Sequence, residues 1–204
     1  MKTLIINASP REGGNTSIAI DAIVKILNRE GIETEVVQIG KMSIRGCKAC
    51  YSCMNTGKCV IDDEVNELAD KLIAADGLIL ASPVYYGGMN GTLKSALDRI
   101  FLRGIDCGGK VAASIAICRR AGNETTLDQM NKYLLYSRYL VVGSQYWSGG
   151  YGMDPGQILE DKEGMQIMTT LAENFAFAMK SVALGKEKYG VPARPEVTMM
   201  NFIR

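Results

Sequence analysis

The chain has 204 residues, with 23 basic and 22 acidic side chains, a formal net charge of +1 and 47% hydrophobic residues. Balanced charge speaks against a nucleic-acid surface and gives no reason to expect a membrane partner. No apolar run approaches the roughly 20 residues needed to span a bilayer. The chain also has no histidine, which removes Ser-His-Asp and Cys-His catalysis, His-containing zinc sites and Rieske-type clusters. This length suits one core.

"TLIINAS" (3–9) is an apolar run that stops at a Gly-rich turn. It is too short for a signal-peptide core, so we expect the first strand of a cytoplasmic protein. From Asn15 to Glu30, Ile18, Ala22, Ile23, Ile26 and Leu27 recur at helical spacing, with Gly31 as a stop. "TEVVQI" (34–39) reads as strand 2, and a cysteine-rich loop follows over about 40–61. Asp62 and Asp63 then open a helix with Val65, Leu68, Ala69, Leu72 and Ile73 on one face.

"GLILASP" (77–83) is strand 3, followed by "VYYGGMNG" and a helix near 91–102. "KVAASIAIC" (110–118) is strand 4, "NETTLDQMNKYLLYSR" the next helix and "YLVVGS" strand 5. A Gly-rich loop, "YWSGGYGMDPGQ", leads to a helix from about Met165 to Leu184. The expected layout is one domain over 1–184 and an extended tail over 185–204, an arm for a neighbouring subunit. Five near-continuously apolar strands, each followed by a helix, indicate an α/β fold, a doubly wound parallel sheet with helices on both faces. Ligands then bind beyond the C-terminal strand ends, where the loops after strands 1, 3 and 4 meet.

The loop after strand 1, "NASPREGGNTS", has neither a Walker lysine nor GxGxxG. It offers Ser9, Thr16 and Ser17 hydroxyls, the Asn15 amide, Arg11 and the free N–H groups of a helix start, which suit a phosphate. A simple helix cap is the competing reading.

"SPREGGNTS" resembles the S-P-R-x-x-G-N-[ST] loop of the flavodoxin-like NADPH-dependent FMN reductases. "ASPVYYGGMNGTLKSALDR" resembles their second loop and its L-K-x-x-x-D-R helix. The resemblance runs from about residue 2 to 184. It implies that Ser9, Arg11, Asn15, Thr16 and Ser17 bind the FMN phosphate, and that Pro83, Val84, Tyr85, Tyr86 and Gly87 lie along the isoalloxazine. It also suggests that Arg119, with Gly122 at the same rim, reaches the flavin or a nicotinamide donor's phosphate. Trp147 would cover the flavin or line a subunit interface.

Cys47, Cys50, Cys53 and Cys59 form C-x2-C-x2-C-x5-C. Four thiolates so close repel one another unless a cation gathers them. Zinc is one candidate, although its sites usually use two separated C-x2-C pairs. Consecutive x2 spacings resemble the ferredoxin run instead, with Val60 in place of its proline. Free or redox-active thiols are the third reading. The iron–sulfur flavoprotein branch of the same family carries a compact insert of this kind after strand 2. That resemblance implies one 4Fe–4S cluster on all four cysteines, meeting FMN across subunits in a homodimer or homotetramer. The expected function is electron transfer between a reduced donor, NAD(P)H or ferredoxin-like, and an acceptor such as a small quinone-like molecule. A zinc-stapled FMN or quinone reductase and a non-catalytic flavin- or metal-binding module are the alternatives. Cys107 and Cys118 read as structural.

Overall fold

The structure, a computed structural model, describes residues 1–198, Met200 and Phe202. Five parallel strand positions form the sheet. They are β1 (Lys2–Asn7), β2 (Glu33–Gln38), β3 (Gly77–Pro83), β4 (Val111–Cys118) and a fifth position shared by β5 (Leu140–Val141) and β6 (Gly149–Tyr151). Their order is β2-β1-β3-β4-β5, with β6 also on β4. This 2-1-3-4-5 arrangement is the flavodoxin-like order, whose switch point lies between the first and third strands.

Period-two alternation feeds two cores. Leu4 and Ile6 of β1 face α3 (Val65–Ala74), α4 (Gly91–Phe101) and α5 (Asn123–Tyr136), meeting Leu68, Leu72, Leu93, Leu97 and Met130. Ile5 faces the other side, against Ile20, Ile23 and Leu27 of α1 (Asn15–Arg29) and Leu171 and Phe175 of α6 (Lys162–Tyr189).

Four local readings need correction. The first strand ends at Asn7 rather than Ser9, because the chain leaves the sheet to start the loop. "YLVVGS" is not one strand: Leu140–Val141 pair with Val111–Ala112, and Gly149–Tyr151 resume on Ala116–Cys118. The chain between them leaves the ladder to dock on α6, through Ser144 Oγ–Ile167 O (2.7 Å) and Asn174 Nδ2–Gly143 O (3.0 Å). The "YWSGGYGMDPGQ" segment is therefore part strand rather than all loop.

The last helix begins at Lys162, where the Asp161 carboxylate accepts the Gly164 N–H (2.9 Å). It continues through Gly185, whose cost of about 1 kcal/mol is outweighed by good helix formers on either side, and ends at Gly190, φ 73°. Among the described residues of the 185–204 tail, only those beyond Tyr189 are non-helical. Arg138 Nη2–Pro192 O (2.7 Å) and Arg194 Nη1–Gly104 O (2.8 Å) tie that part back to its own domain. Residues 199, 201, 203 and 204 of the tail lie outside the described residues.

Candidate functional site

The ends of β1, β3 and β4 enclose a cleft of about 210 Å³. Ser9, Arg11, Asn15, Thr16, Pro83, Val84, Tyr85 and Arg119 all line it. Its first wall is the turn from β1 into α1. Buried Asn7 fixes that turn, its Oδ1 accepting the Ser9 N–H (2.9 Å) and its Nδ2 donating to Ser17 Oγ (3.1 Å). Ser17 accepts that bond and is not among the residues that line the cleft. The α1 N-terminus at Gly14 has no side-chain cap, so its first-turn N–H groups remain for an anion. Thr16 is 3% exposed, and among the described residues its hydroxyl has no hydrogen-bond partner.

Asn15 has a structural task. Its Nδ2 donates to Asp154 O (2.9 Å), and its Oδ1 accepts the N–H groups of Gly156 (3.0 Å) and Ile158 (3.3 Å). It thus binds the segment after β6 to the start of α1, and Arg11 Nη1 reaches Met153 O (3.4 Å) in that segment. Gly152 and Met153 complete the cleft with Ile117 and Cys118. The sequence placed none of these four in the site, and Cys118 read there as structural. An Asn-to-loop contact spanning about 140 positions leaves no local pattern to find. Burial pushes the Cys118 thiol up, as expected of an unreactive wall residue.

The second wall is a two-residue hairpin. Tyr85 and Gly88 exchange backbone hydrogen bonds (2.8 and 3.0 Å), with Tyr86 (φ 49°) and Gly87 (φ 74°) at its tip. Tyr85 lines the cleft, whereas Tyr86 points fully into solvent. Gly122, φ 91°, presses on this turn, because a Cβ there would lie 2.9 Å from Gly87 Cα. It shapes the turn from behind and is not part of the cleft lining. Trp147 lies elsewhere, over a cavity beside α5 with Glu124 and Asp128, and packs edge-on to Tyr146.

The cysteine segment leaves β2 at Gly40, which is pressed against the first loop. A Cβ at Gly40 would come within 2.2 Å of the Ser9 carbonyl carbon. Beyond it, a short helix α2 (Ser52–Thr56) interrupts the expected loop. Ala49 (φ 52°) and Tyr51 (φ 57°) are left-handed on either side of Cys50, an uncommon state for non-glycine residues. All six cysteines are free. Cys47, Cys50, Cys53 and Cys59 line one hollow, together with Lys48, Tyr51 and Arg99. Cys47 and Cys50 are exposed, Cys53 is buried and Cys59 half-buried. The Ser52 backbone N–H and hydroxyl hold the Cys50 thiol below its usual value, with a smaller contribution from Lys48.

A donor-lined cleft with an apolar, aromatic second wall at this switch point fits a flavin phosphate and ring. The class of protein this fold and cleft define is a flavin-dependent oxidoreductase. The family model described as NADPH-dependent FMN reductase matches residues 1–154, and the chain belongs to that family. It is 35% identical over 191 residues to an iron-sulfur flavoprotein of Methanocaldococcus jannaschii, covering 89% of this chain and 99% of that protein. An iron-sulfur flavoprotein of Methanosarcina thermophila is 32% identical over 193 residues, covering 92% and 100%. Among solved structures, RosB with bound 8-demethyl-8-formylriboflavin-5'-phosphate shares the fold at TM-score 0.72 and 21% identity, covering 100% of this chain and 94% of RosB. No described helix is long and apolar enough to cross a membrane.

Proposed function

We propose that this flavin-dependent oxidoreductase carries a 4Fe–4S cluster on Cys47, Cys50, Cys53 and Cys59. It would pass electrons between a reduced donor, NAD(P)H or a ferredoxin-like protein, and a small quinone-like or protein acceptor. The observation that carries this reading is that all four thiols, none in a disulfide, line a single hollow. The names of the two archaeal relatives support it. FMN exchanges electrons singly or in pairs and a cluster exchanges them singly, which gives a reason to hold both on one chain.

The chain's own residues supply binding and orientation. The open α1 amides, Ser9 and the Thr16 hydroxyl hold the phosphate, while Arg11 and Arg119 add positive charge at the rim. Pro83, Val84 and Tyr85 give the ring an apolar wall, and the Tyr85–Gly88 turn keeps its shape. The cleft and the hollow share no lining residue. A homodimer or homotetramer would bring the hollow of one chain to the cleft of another, and the proposed location is the cytoplasm.

Analysis of anaerobically purified protein for iron, acid-labile sulfide, zinc and FMN tests this reading. About four irons and four sulfides with one FMN per chain is the expected result. Zinc with FMN would replace the cluster by a structural zinc site. Absence of FMN after reconstitution would remove the assignment of the cleft.

A further inference from the structure

Arg99 is the largest of the fully buried side chains, at 1% exposure, and all five of its N–H groups have acceptors. Nε donates to Cys59 Sγ (3.3 Å). Nη1 donates to Arg45 O (3.1 Å) and Asp63 Oδ2 (2.5 Å). Nη2 donates to Ile61 O (3.3 Å) and Asp63 Oδ1 (2.7 Å). One planar fork on α4 therefore grips the chain two residues before Cys47, Cys59 itself, and the chain two and four residues beyond it.

A buried ion pair is weak evidence for added stability, since desolvating both charges offsets much of their attraction. Its use here is geometric. Lysine, with three donors on a flexible stem, cannot reproduce the fork. Asn66 of α3 adds a second brace, accepting the Cys59 N–H (2.9 Å) and donating to the Cys59 carbonyl (2.9 Å). Arg103 in turn donates to Asn66. Cys47 and Cys50 lie exposed on the stretch with the left-handed Ala49 and Tyr51. Among the described residues their thiols are met only by near neighbours, the Ala49 N–H on Cys47 (3.4 Å) and Ser52 on Cys50, with no side chain from α3 or α4.

We infer that Arg99 is the positioning residue of the cysteine site. It fixes Cys59 and closes the two ends of the thirteen-residue Cys47–Cys59 segment before any inorganic group arrives. The site is built asymmetrically, with Cys59 as its fixed ligand and Cys47 and Cys50 as the pair that closes last. The role toward an inorganic group rests on the proposed function; the geometric role does not.

The test uses anaerobically purified, FMN-loaded wild type, Arg99→Lys and Asp63→Asn. We expect both variants to keep FMN stoichiometry and affinity within about twofold, because the flavin cleft contains neither residue. Bound iron or zinc should fall at least fivefold, and loss to a chelator should accelerate at least tenfold. Unchanged metal content and chelation rate in both variants would overturn the inference, as would parallel loss of FMN and metal. If Arg99→Lys does not fold, Asp63→Asn decides, since it keeps the guanidinium and removes its anchor.

A second readout is independent of metal. In chelator-treated wild type, iodoacetamide should label Cys47 and Cys50 at least tenfold faster than Cys59, and the gap should close in the variants. Equal labelling of Cys47 and Cys59 in wild type would overturn the inference. A wild type that binds neither iron nor zinc on reconstitution would instead remove the cluster reading, and the labelling result would still judge Arg99.

Discussion

The flavin cleft and the cysteine hollow are assembled from different materials. The cleft is set by the ends of three hydrogen-bonded strands and the start of a helix, so backbone geometry places most of its donors. The hollow lies in a segment whose regular structure is a single five-residue helix, and the half-buried Asn66 of α3 and the buried Arg99 of α4 hold it. A sheet-borne site spreads its support over many residues. A loop-borne site concentrates that support in a few, so one substitution there reaches further.

Breaking the hollow gives the largest expected effect. Cys53 is 7% exposed within α2, and Cys53→Ser should abolish the absorbance of the proposed cluster while leaving FMN binding within about twofold. An equal loss of FMN, followed by flavin fluorescence, would show that the hollow supports the cleft and would dissolve the contrast.

Next is the cleft. Thr16→Val keeps the side chain's shape and removes a hydroxyl with no described protein partner. Losing a hydrogen bond to a charged group costs about 1.5–3 kcal/mol, so FMN affinity should drop about tenfold to a hundredfold with little change in apo-protein Tm. Unchanged affinity would take Thr16 out of the phosphate site.

The smallest effect is expected in acid. Arg99 holds the Asp63 carboxyl below its usual range. The pair's contribution to folding is therefore present above the unfolded carboxylate value near pH 4 and lost as pH falls through the lower folded value. Asp63→Asn should flatten that part of the acid-unfolding curve of metal-free protein. An unaltered curve would mean that the pair's ionisation contributes nothing to the fold.

Much of this was legible in the sequence because the first, third and fourth strands are near-continuous apolar runs with helices between the elements. That pattern implies a sheet covered on both faces. The donor-rich turn after β1 was legible too, since the residues it brings to the cleft are adjacent in sequence. The division of the fifth strand was not. "YLVVGS" has ordinary strand composition, and what removes part of it from the ladder is docking on α6, some 25 residues away. Asn15 shows the same limit. Its residue type and place suit a phosphate, yet its side chain is occupied by a segment about 140 positions later. The four cysteines could be grouped by spacing alone. Arg99 carries no mark in the sequence that ties it to Cys59, because only the packing of α4 against the segment brings the two together.

Gly40 has a broader consequence. With the Ser9 backbone so near that no side chain fits between them, the chain leaves the sheet there at a fixed point, and it rejoins the regular fold at Val65 on α3. Between these two points the segment is joined to the rest of the fold at a few places, Met42 and Ile44 on the core and the bonds from Arg99 and Asn66. The segment is in this sense a cassette, and moving it into another member of the fold would require its α3 and α4 contacts to travel with it.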